Sequence, residues 1–255
     1  WDEERGLKMA IADAAIGPHT AVIDPELTLT CPPGLSAATA ADALSHLVEG
    51  FTARPKNPTP EELATQIYTG KNRITDVFAA EGLRLMNRAL PRLAAEPGNI
   101  EVRADVMFAA YAAGMVINTT GTAGAHAIQS PMAAFGHVPH GFGVGALLPY
   151  VMRWNLPHAV AEFAGMGRIL GCEGADDLTL ARGAIIRVEE LLAAVGAPLD
   201  IAGMGVSPAD FAQVAKGAVS AARLVRNNPA PMTEAGVVAL LVRALAGDRG
   251  WWGAP

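Results

Sequence analysis

Asp42 and His46 lie four residues apart in the segment "DALSHLVEG", where most other residues are apolar. On a helix, residues at i and i+4 are neighbours on one face, so this carboxylate and this imidazole can bind one cation together. Glu49 follows at i+7 from Asp42 and falls on the same face. An ordinary amphipathic helix with a solvated polar face is the alternative interpretation. We expect Glu49 to be structural, either facing solvent or forming a salt bridge within the helix.

Three of the six histidines, His126, His137 and His140, cluster in a stretch that is otherwise rich in glycine, alanine and apolar residues. Imidazoles combined with a carboxylate suit a divalent transition metal such as Fe, Zn, Co or Ni. The segments "GAHAIQ" and "VPHG" can add two imidazoles to the Asp/His pair, and such a set leaves a coordination position open for a substrate oxygen. From spacing alone, a hydrogen-bonded core histidine at 126 and a simple turn at "VPHG" explain these residues equally well.

Two other motifs indicate no function. Gly141-x-Gly143-x-x-Ala146 matches a dinucleotide-binding fingerprint, but it follows "HVPH" rather than a strand, and no acidic residue follows at the required distance in a second strand. The sequence also lacks the G-x-S-x-G elbow of a serine hydrolase.

These side chains belong to a chain whose hydrophobic periodicity is helical almost throughout. We predict a helix over Ala37–Thr52, with Ser36 as its N-cap, which carries the Asp/His pair. The alanine-rich helix Glu101–Asn118 is expected at the centre of the fold, because small residues allow close approach. The only strand-like run in this part of the chain is Ala21–Asp24. Further helices are predicted over Thr75–Ala94, on both sides of a break at His137–Gly141, and over Val160–Leu170, Leu178–Val195, Pro208–Ala221 and Glu234–Ala246. The predicted fold class is therefore all-α.

The composition excludes several classes of protein. The 255 residues are 51% hydrophobic and 17% charged, which excludes a disordered chain. A net charge of −6 provides no basic surface for nucleic acid, and no segment reaches the roughly 20 apolar residues of a membrane span. Two cysteines, Cys31 and Cys172, form no disulfide framework and favour a reducing compartment. We therefore expect a cytoplasmic protein with no nucleic-acid or membrane partner.

Four segments resemble the iron-containing (group III) alcohol dehydrogenases, a family with the dehydroquinate synthase-like fold. They are "AVIDPELTLTCPP", "AATAADALSHLVEGF", the long stretch from "FAAYAAGMVINTTG" through "AHAIQSPMAAFGHVPHG" to "VMRWN", and "RNNPAPMT". They follow the family order over most of the chain. The resemblance implies that Asp42, His46, His126 and His140 are metal ligands and that the ion is Fe²⁺ or Zn²⁺.

The resemblance also implies how the chain is divided. Family members carry an N-terminal α/β domain that binds NAD(P), followed by a helical metal-binding domain. Residues 1–30 resemble the end of that cofactor domain and its linker, with a short strand remnant, and residues 31–255 resemble the helical catalytic domain. In the first part, Lys8 matches a lysine near the nicotinamide ribose. Because the glycine-rich cofactor motif is absent, the isolated chain is expected to bind NAD(P) poorly and to be inactive.

The proton relay is the point where the sequence departs from the family. Many members carry a histidine four residues after the first imidazole ligand, but Ser130 stands there in this chain. His137 is the candidate catalytic residue in its place, and a loop histidine near the cleft is the alternative. The implied reaction is the reversible reduction of a small aldehyde or ketone with NAD(P)H, by a homo-oligomer that is expected to be a dimer. A non-catalytic helical interaction module and a metal-dependent lyase like dehydroquinate synthase are the alternative functions.

Overall fold

The computed structural model describes residues 14–66, 68–136 and 138–255, and within these ranges the chain is helical and contains no strand. The α-helices are α1 (Pro33–Thr52), α2 (Pro60–Thr65), α3 (Arg73–Leu93), α4 (Ile100–Thr120), α5 (Gly124–Met132), α6 (His140–Asn155), α7 (Val160–Ile169), α8 (Asp177–Ala194), α9 (Phe211–Ser220), α10 (Ala222–Val225) and α11 (Glu234–Ala246). Short 3-10 turns lie at Ala14–Ile16, Pro25–Thr28 and Leu156–His158. No helix in the described ranges combines the length and the apolar character needed to cross a bilayer. The all-α prediction is confirmed.

α1 lies at the centre of the bundle, in contact with α3, α4, α5, α6 and α7. Leu44 and Leu47 on this helix are fully buried. The prediction that the alanine-rich helix, α4, is central was wrong, because Phe108, Tyr111 and Met115 on one of its faces are exposed. The small residues of α4 allow close packing on its inner side only.

α1 begins four residues earlier than its sequence predicts. The expected N-cap, Ser36, lies inside the helix, which starts at Pro33. Proline is favourable in the first helical position because its φ is already helical and its missing N–H would have no intrahelical partner there. The buried hydroxyl of Ser36 instead accepts a hydrogen bond of 2.8 Å from Nη1 of Arg103 on α4.

The strand predicted at Ala21–Asp24 is absent. Val22 is 81% exposed, and the backbone finds no partner strand within the described ranges, without which a strand's hydrogen bonds cannot form. Asp24 caps a 3-10 turn instead, since its Oδ1 accepts a hydrogen bond of 2.9 Å from the backbone N–H of Glu26. The predicted strand remnant near Lys8 falls within residues 1–13, outside the described ranges.

The predicted helix–loop–helix after α4 is present as α5 and α6, and most other helices differ from prediction only at their ends. Among these other helices, the largest change is at α9, which begins at Phe211 rather than Pro208. Oδ2 of Asp210 accepts hydrogen bonds from the backbone N–H and the hydroxyl of Ser207, at 2.8 and 2.7 Å. These bonds hold the preceding residues in a turn.

Candidate metal centre

The carboxylate of Asp42 lies where α1, α5 and α6 meet, and three imidazoles surround it. Its Oδ1 is 3.3 Å from Nε2 of His126, and 3.6 Å from Nε2 of both His46 and His140. The structure thus brings together the four residues that the resemblance implied as ligands. We refer to Asp42, His46, His126 and His140 as the ligand group.

Three helices position the ligand group. α1 presents Asp42 and His46 one turn apart, His126 lies in the first turn of α5, and His140 is the first residue of α6. The residue after His140 must be small, because a Cβ added to Gly141 would lie 1.9 Å from the carbonyl oxygen of Ala38. Glycine therefore allows the start of α6 to rest directly on the backbone of α1, which brings the His140 ring to Asp42.

The spacing of the donor atoms is compatible with a shared ion. Asp42, His126 and His140 each offer one ligand atom, and the three atoms lie within 4.8 Å of one another. His46 adjoins this trio, and its ring stacks on that of His126 with a centroid distance of 4.8 Å. Two ligands at about 2.0–2.1 Å from one ion are roughly 3–3.5 Å apart in tetrahedral or octahedral geometry. The 3.3 Å between Asp42 and His126 falls within that interval.

Within the described ranges, two atoms of the ligand group lack the hydrogen-bond partners that buried polar atoms normally have. Oδ1 of Asp42 and Nε2 of His126 are buried and have no hydrogen-bond partner among the described residues. A buried polar atom without a partner costs about 1–3 kcal/mol and is rare in folded proteins. A divalent cation would satisfy both atoms, and one carboxylate with three imidazoles is a donor set suited to Fe²⁺ or Zn²⁺.

The charges within the ligand group differ from residue to residue. Burial lowers the pKa of His46 to about 4, although the charge of Asp42 opposes it, so this ring is neutral near pH 7. Burial also disfavours the protonated form of His126, but the charges of Glu49 and Asp42 outweigh it and raise its pKa to about 9. Burial acts to raise the pKa of Asp42, yet His126, His46 and His140 hold it below its usual value. Metal binding therefore requires His126 to lose a proton.

Glu49 lies in surroundings that its sequence pattern did not predict. It neither faces solvent nor pairs within its helix, because it is 3% exposed and its Oε2 lies 2.7 Å from Nδ1 of His126. The same carboxylate accepts backbone hydrogen bonds from Ala123 at 2.9 Å and from Ala125 at 2.6 Å. Burial acts to raise the pKa of Glu49, but the charge of His126 and these hydrogen bonds hold it below its usual value. Its i+7 spacing from Asp42 was the available signal.

The remaining site predictions are only partly described by the structure. His137 and Lys8 lie outside the described residues. Ser130 is half-buried on α5, one turn beyond His126. Gln129 beside it was not predicted: it is 2% exposed, packs close to Gly143 of α6, and its Oε1 has no hydrogen-bond partner in the described part of the chain.

The chain is similar to known oxidoreductases. Residues 36–245 match the model described as "Fe-containing alcohol dehydrogenase family, C-terminal". The NAD-dependent methanol dehydrogenase of Bacillus methanolicus is 30% identical over 246 residues, which are 96% of this chain and 60% of that protein. Maleylacetate reductase of Sphingobium indicum is 30% identical over 244 residues, which are 96% of this chain and 62% of that protein.

A solved structure gives the same result. The iron-containing alcohol dehydrogenase of Thermococcus thioreducens superimposes with a TM-score of 0.77 at 26% identity, covering 93% of this chain and 57% of that one. The chain therefore spans about 60% of the length of the curated relatives it matches.

Proposed function

We propose that this chain, which belongs to the Fe-containing alcohol dehydrogenase family, provides the metal-binding part of an NAD(P)-dependent enzyme that interconverts small alcohols with aldehydes or ketones. The observation that carries this proposal is the convergence of three imidazoles on one buried carboxylate oxygen, that of Asp42. The relative from Bacillus methanolicus supports the choice of a nicotinamide cofactor, since it is described as an NAD-dependent methanol dehydrogenase.

In this proposal Asp42, His46, His126 and His140 hold Fe²⁺ or Zn²⁺. When bound, the ion supplies Lewis acidity that polarises the C–O bond of the substrate. The exposed fraction of the ligand side chains sets the direction of approach, because His140 is 35% exposed and His126 only 8%. The substrate and the nicotinamide therefore reach the ligand group from the His140 side, while Glu49 and α5 close the His126 side.

The proton that balances hydride transfer needs a donor and acceptor near the substrate oxygen. We assign this role to His137, or to a water molecule held near the hydroxyl of Ser130. A serine hydroxyl both donates and accepts hydrogen bonds, so it can keep such a water in place between the substrate and solvent. NAD(P)H supplies the hydride, and Lys8 is assigned to the nicotinamide ribose.

The metal proposal is tested by elemental analysis of the purified chain after loading with Fe²⁺ or Zn²⁺ and removal of free ion. We expect one ion per chain in the wild type and none in His126→Ala or His140→Ala. His158→Ala is the matched control, because this histidine is exposed in the connection between α6 and α7 and should leave the metal content unchanged. Full retention in both ligand variants would refute the proposed centre.

The reaction is tested by following NADH and NADPH oxidation with a panel of small aldehydes and ketones. The assay compares the chain itself with a version fused at its N-terminus to the cofactor-binding part of the methanol dehydrogenase relative. We expect turnover from the fused form only, and His137→Ala should lower it without changing metal content. A fused form that binds metal and nucleotide but reduces none of the substrates would favour the non-catalytic module instead.

A further inference from the structure

We infer that Glu49 is a positioning residue of the metal centre: its carboxylate fixes the orientation of the His126 ring, so that Nε2 points at the ion. The inference rests on the proposed metal centre and adds a residue that is not itself a ligand. Glu49 and Asp42 lie seven residues apart on α1, so one rigid helix carries both a ligand and the group that orients another ligand.

A short hydrogen bond joins the side chains of Glu49 and His126. Oε2 of Glu49 and Nδ1 of His126 are 2.7 Å apart, and the side chains are 3% and 8% exposed. An ionised carboxylate can only accept hydrogen bonds, so Nδ1 must carry a proton. A neutral imidazole has one N–H, and Nε2 is therefore left with the lone pair that a metal needs. That nitrogen is the atom that faces Asp42.

Glu49 also holds the backbone that carries His126. The N-cap of α5, Ala123, has no side chain able to bind the free N–H groups of the first turn. Glu49 binds three of these groups, those of Ala123, Ala125 and His126, from the neighbouring helix. A negative charge at this position is also favourable for the helix dipole. One carboxylate thus fixes both the ring of His126 and the turn on which it stands.

The negative charge of Glu49 also balances the charge of a divalent ion. The carboxylates of Asp42 and Glu49 carry two negative charges, and the three imidazoles are neutral when they act as ligands. A divalent ion would bring the buried cluster to neutrality, which lowers the cost of burying these charges. With Asp42 alone, the occupied site would keep an uncompensated positive charge.

Glu49→Gln is the variant that tests this role. Oε2 of Glu49 binds both the N–H of Ala123 and Nδ1 of His126, while Oε1 accepts from the backbone of Ala125. The single oxygen of glutamine can serve only one of these two positions, and the side chain no longer carries a negative charge. We expect the Kd for Zn²⁺, measured by chelator competition, to rise by about 10- to 100-fold, as is typical when the partner of a ligating histidine is lost. Glu49→Asp retains the charge and should recover part of this affinity.

Glu189→Gln is the matched control. This glutamate is also largely buried and binds a charged partner, Arg153, at 2.7 Å, but no residue of the ligand group. We expect its Kd for Zn²⁺ to equal that of the wild type, even if its unfolding temperature falls.

A second measurement on the wild type keeps the inference testable if Glu49→Gln does not fold. In proton–nitrogen NMR spectra of histidine-labelled protein, the Nδ1–H proton of His126 should be shifted downfield and protected from exchange, with and without Zn²⁺. Absence of this resonance from the wild type, or an unchanged Kd in a folded Glu49→Gln variant, would overturn the role of Glu49. If the resonance is present but wild-type protein binds no metal, the proposed centre fails and the Glu49–His126 bond remains.

Discussion

Two buried polar clusters of this chain differ in whether the protein alone completes their hydrogen bonds. In the asparagine clamp (Asn155, Asn228 and Ala230), each amide donates to the oxygen of the other, at 2.8 and 2.7 Å. The backbone of Ala230 completes the clamp: its N–H donates to Oδ1 of Asn155, and its carbonyl oxygen accepts from Nδ2 of Asn228. In the ligand group, by contrast, Asp42 and His126 keep buried atoms without hydrogen-bond partners among the described residues.

We expect this difference between a structural cluster and the proposed binding site. The asparagine clamp joins the end of α6 to the segment between α10 and α11, and it needs nothing from outside the chain. The ligand group is equally well enclosed on its His126 side, but it leaves Oδ1 of Asp42 and Nε2 of His126 for the proposed cation to satisfy. Polarity and burial alone do not distinguish the two clusters, whereas the accounting of donors and acceptors does.

The largest expected effect on folding comes from opening the clamp. Asn155→Ala leaves the side-chain amide of Asn228 and the N–H of Ala230 buried without their partner, so we expect the free energy of unfolding to fall by about 2–4 kcal/mol. Urea denaturation measures this change, with the exposed Asn57→Ala as control. The protein that remains folded should keep its full metal content. A loss of metal together with stability would show that the two clusters are coupled.

Filling the ligand group should stabilise the fold by a similar amount. With free Zn²⁺ at one hundred times its Kd, we expect the free energy of unfolding to rise by about 2.7 kcal/mol, because only the folded chain presents the complete site. Thermal unfolding with and without Zn²⁺ should give the same increment in Asn155→Ala as in the wild type. His126→Ala should show no increment, and an equal increment there would place the binding elsewhere.

The pH dependence of metal binding should also separate the clusters. His126 has a raised pKa of about 9, so below that pH its proton competes with the ion. We therefore expect metal affinity to increase as pH rises, by about tenfold per unit between pH 6 and 8, while the clamp has no group that titrates there. His46, with its pKa lowered to about 4, adds nothing in this range. Chelator competition at several pH values tests this slope, and a flat profile would contradict it.

The smallest expected effect concerns Gln129, a third buried polar group that lies between the two cases. Its Oε1 lacks a partner in the described part of the chain, so Gln129→Met removes an unsatisfied atom and keeps the volume. We expect the unfolding free energy of the metal-free protein to stay unchanged or to rise by up to about 1 kcal/mol. A loss larger than this in urea denaturation would indicate an ordered water or another partner at Oε1.

Local patterns were sufficient to predict most helices but not the contacts between them. The spacing of apolar residues in α3, α8 and α11 predicted the ends of each helix to within a few residues. This was possible because the apolar face of a helix is visible in its own sequence, whichever helix packs against it. The strand expected at Ala21–Asp24 failed because a strand depends on a partner that its own sequence does not reveal. Ser36 is not the N-cap of α1, and its hydroxyl instead accepts a hydrogen bond from Arg103, 67 residues away along the chain.

Residue spacing alone did not decide between a metal site and ordinary structural residues at the four positions of the ligand group. Only the family resemblance implied a metal site there. Its four residues come together in the structure, but no residue pattern shows that Ala123 and Ala125 donate backbone hydrogen bonds to Glu49. Such donors carry no side-chain signature, so a buried acid that binds them looks in sequence like an acid on a solvated face. This is why the surroundings of Glu49 were misjudged.

The distance along the chain between the ligands sets the order of events during biosynthesis. Glu49 and His126 are 77 residues apart, so their bond forms only after a long loop has closed. A chain that has emerged only through α4 offers an ion at most the Asp42 and His46 pair, which is a weak chelator. In the proposed centre, metal should therefore enter after the bundle has assembled, from the side of His140.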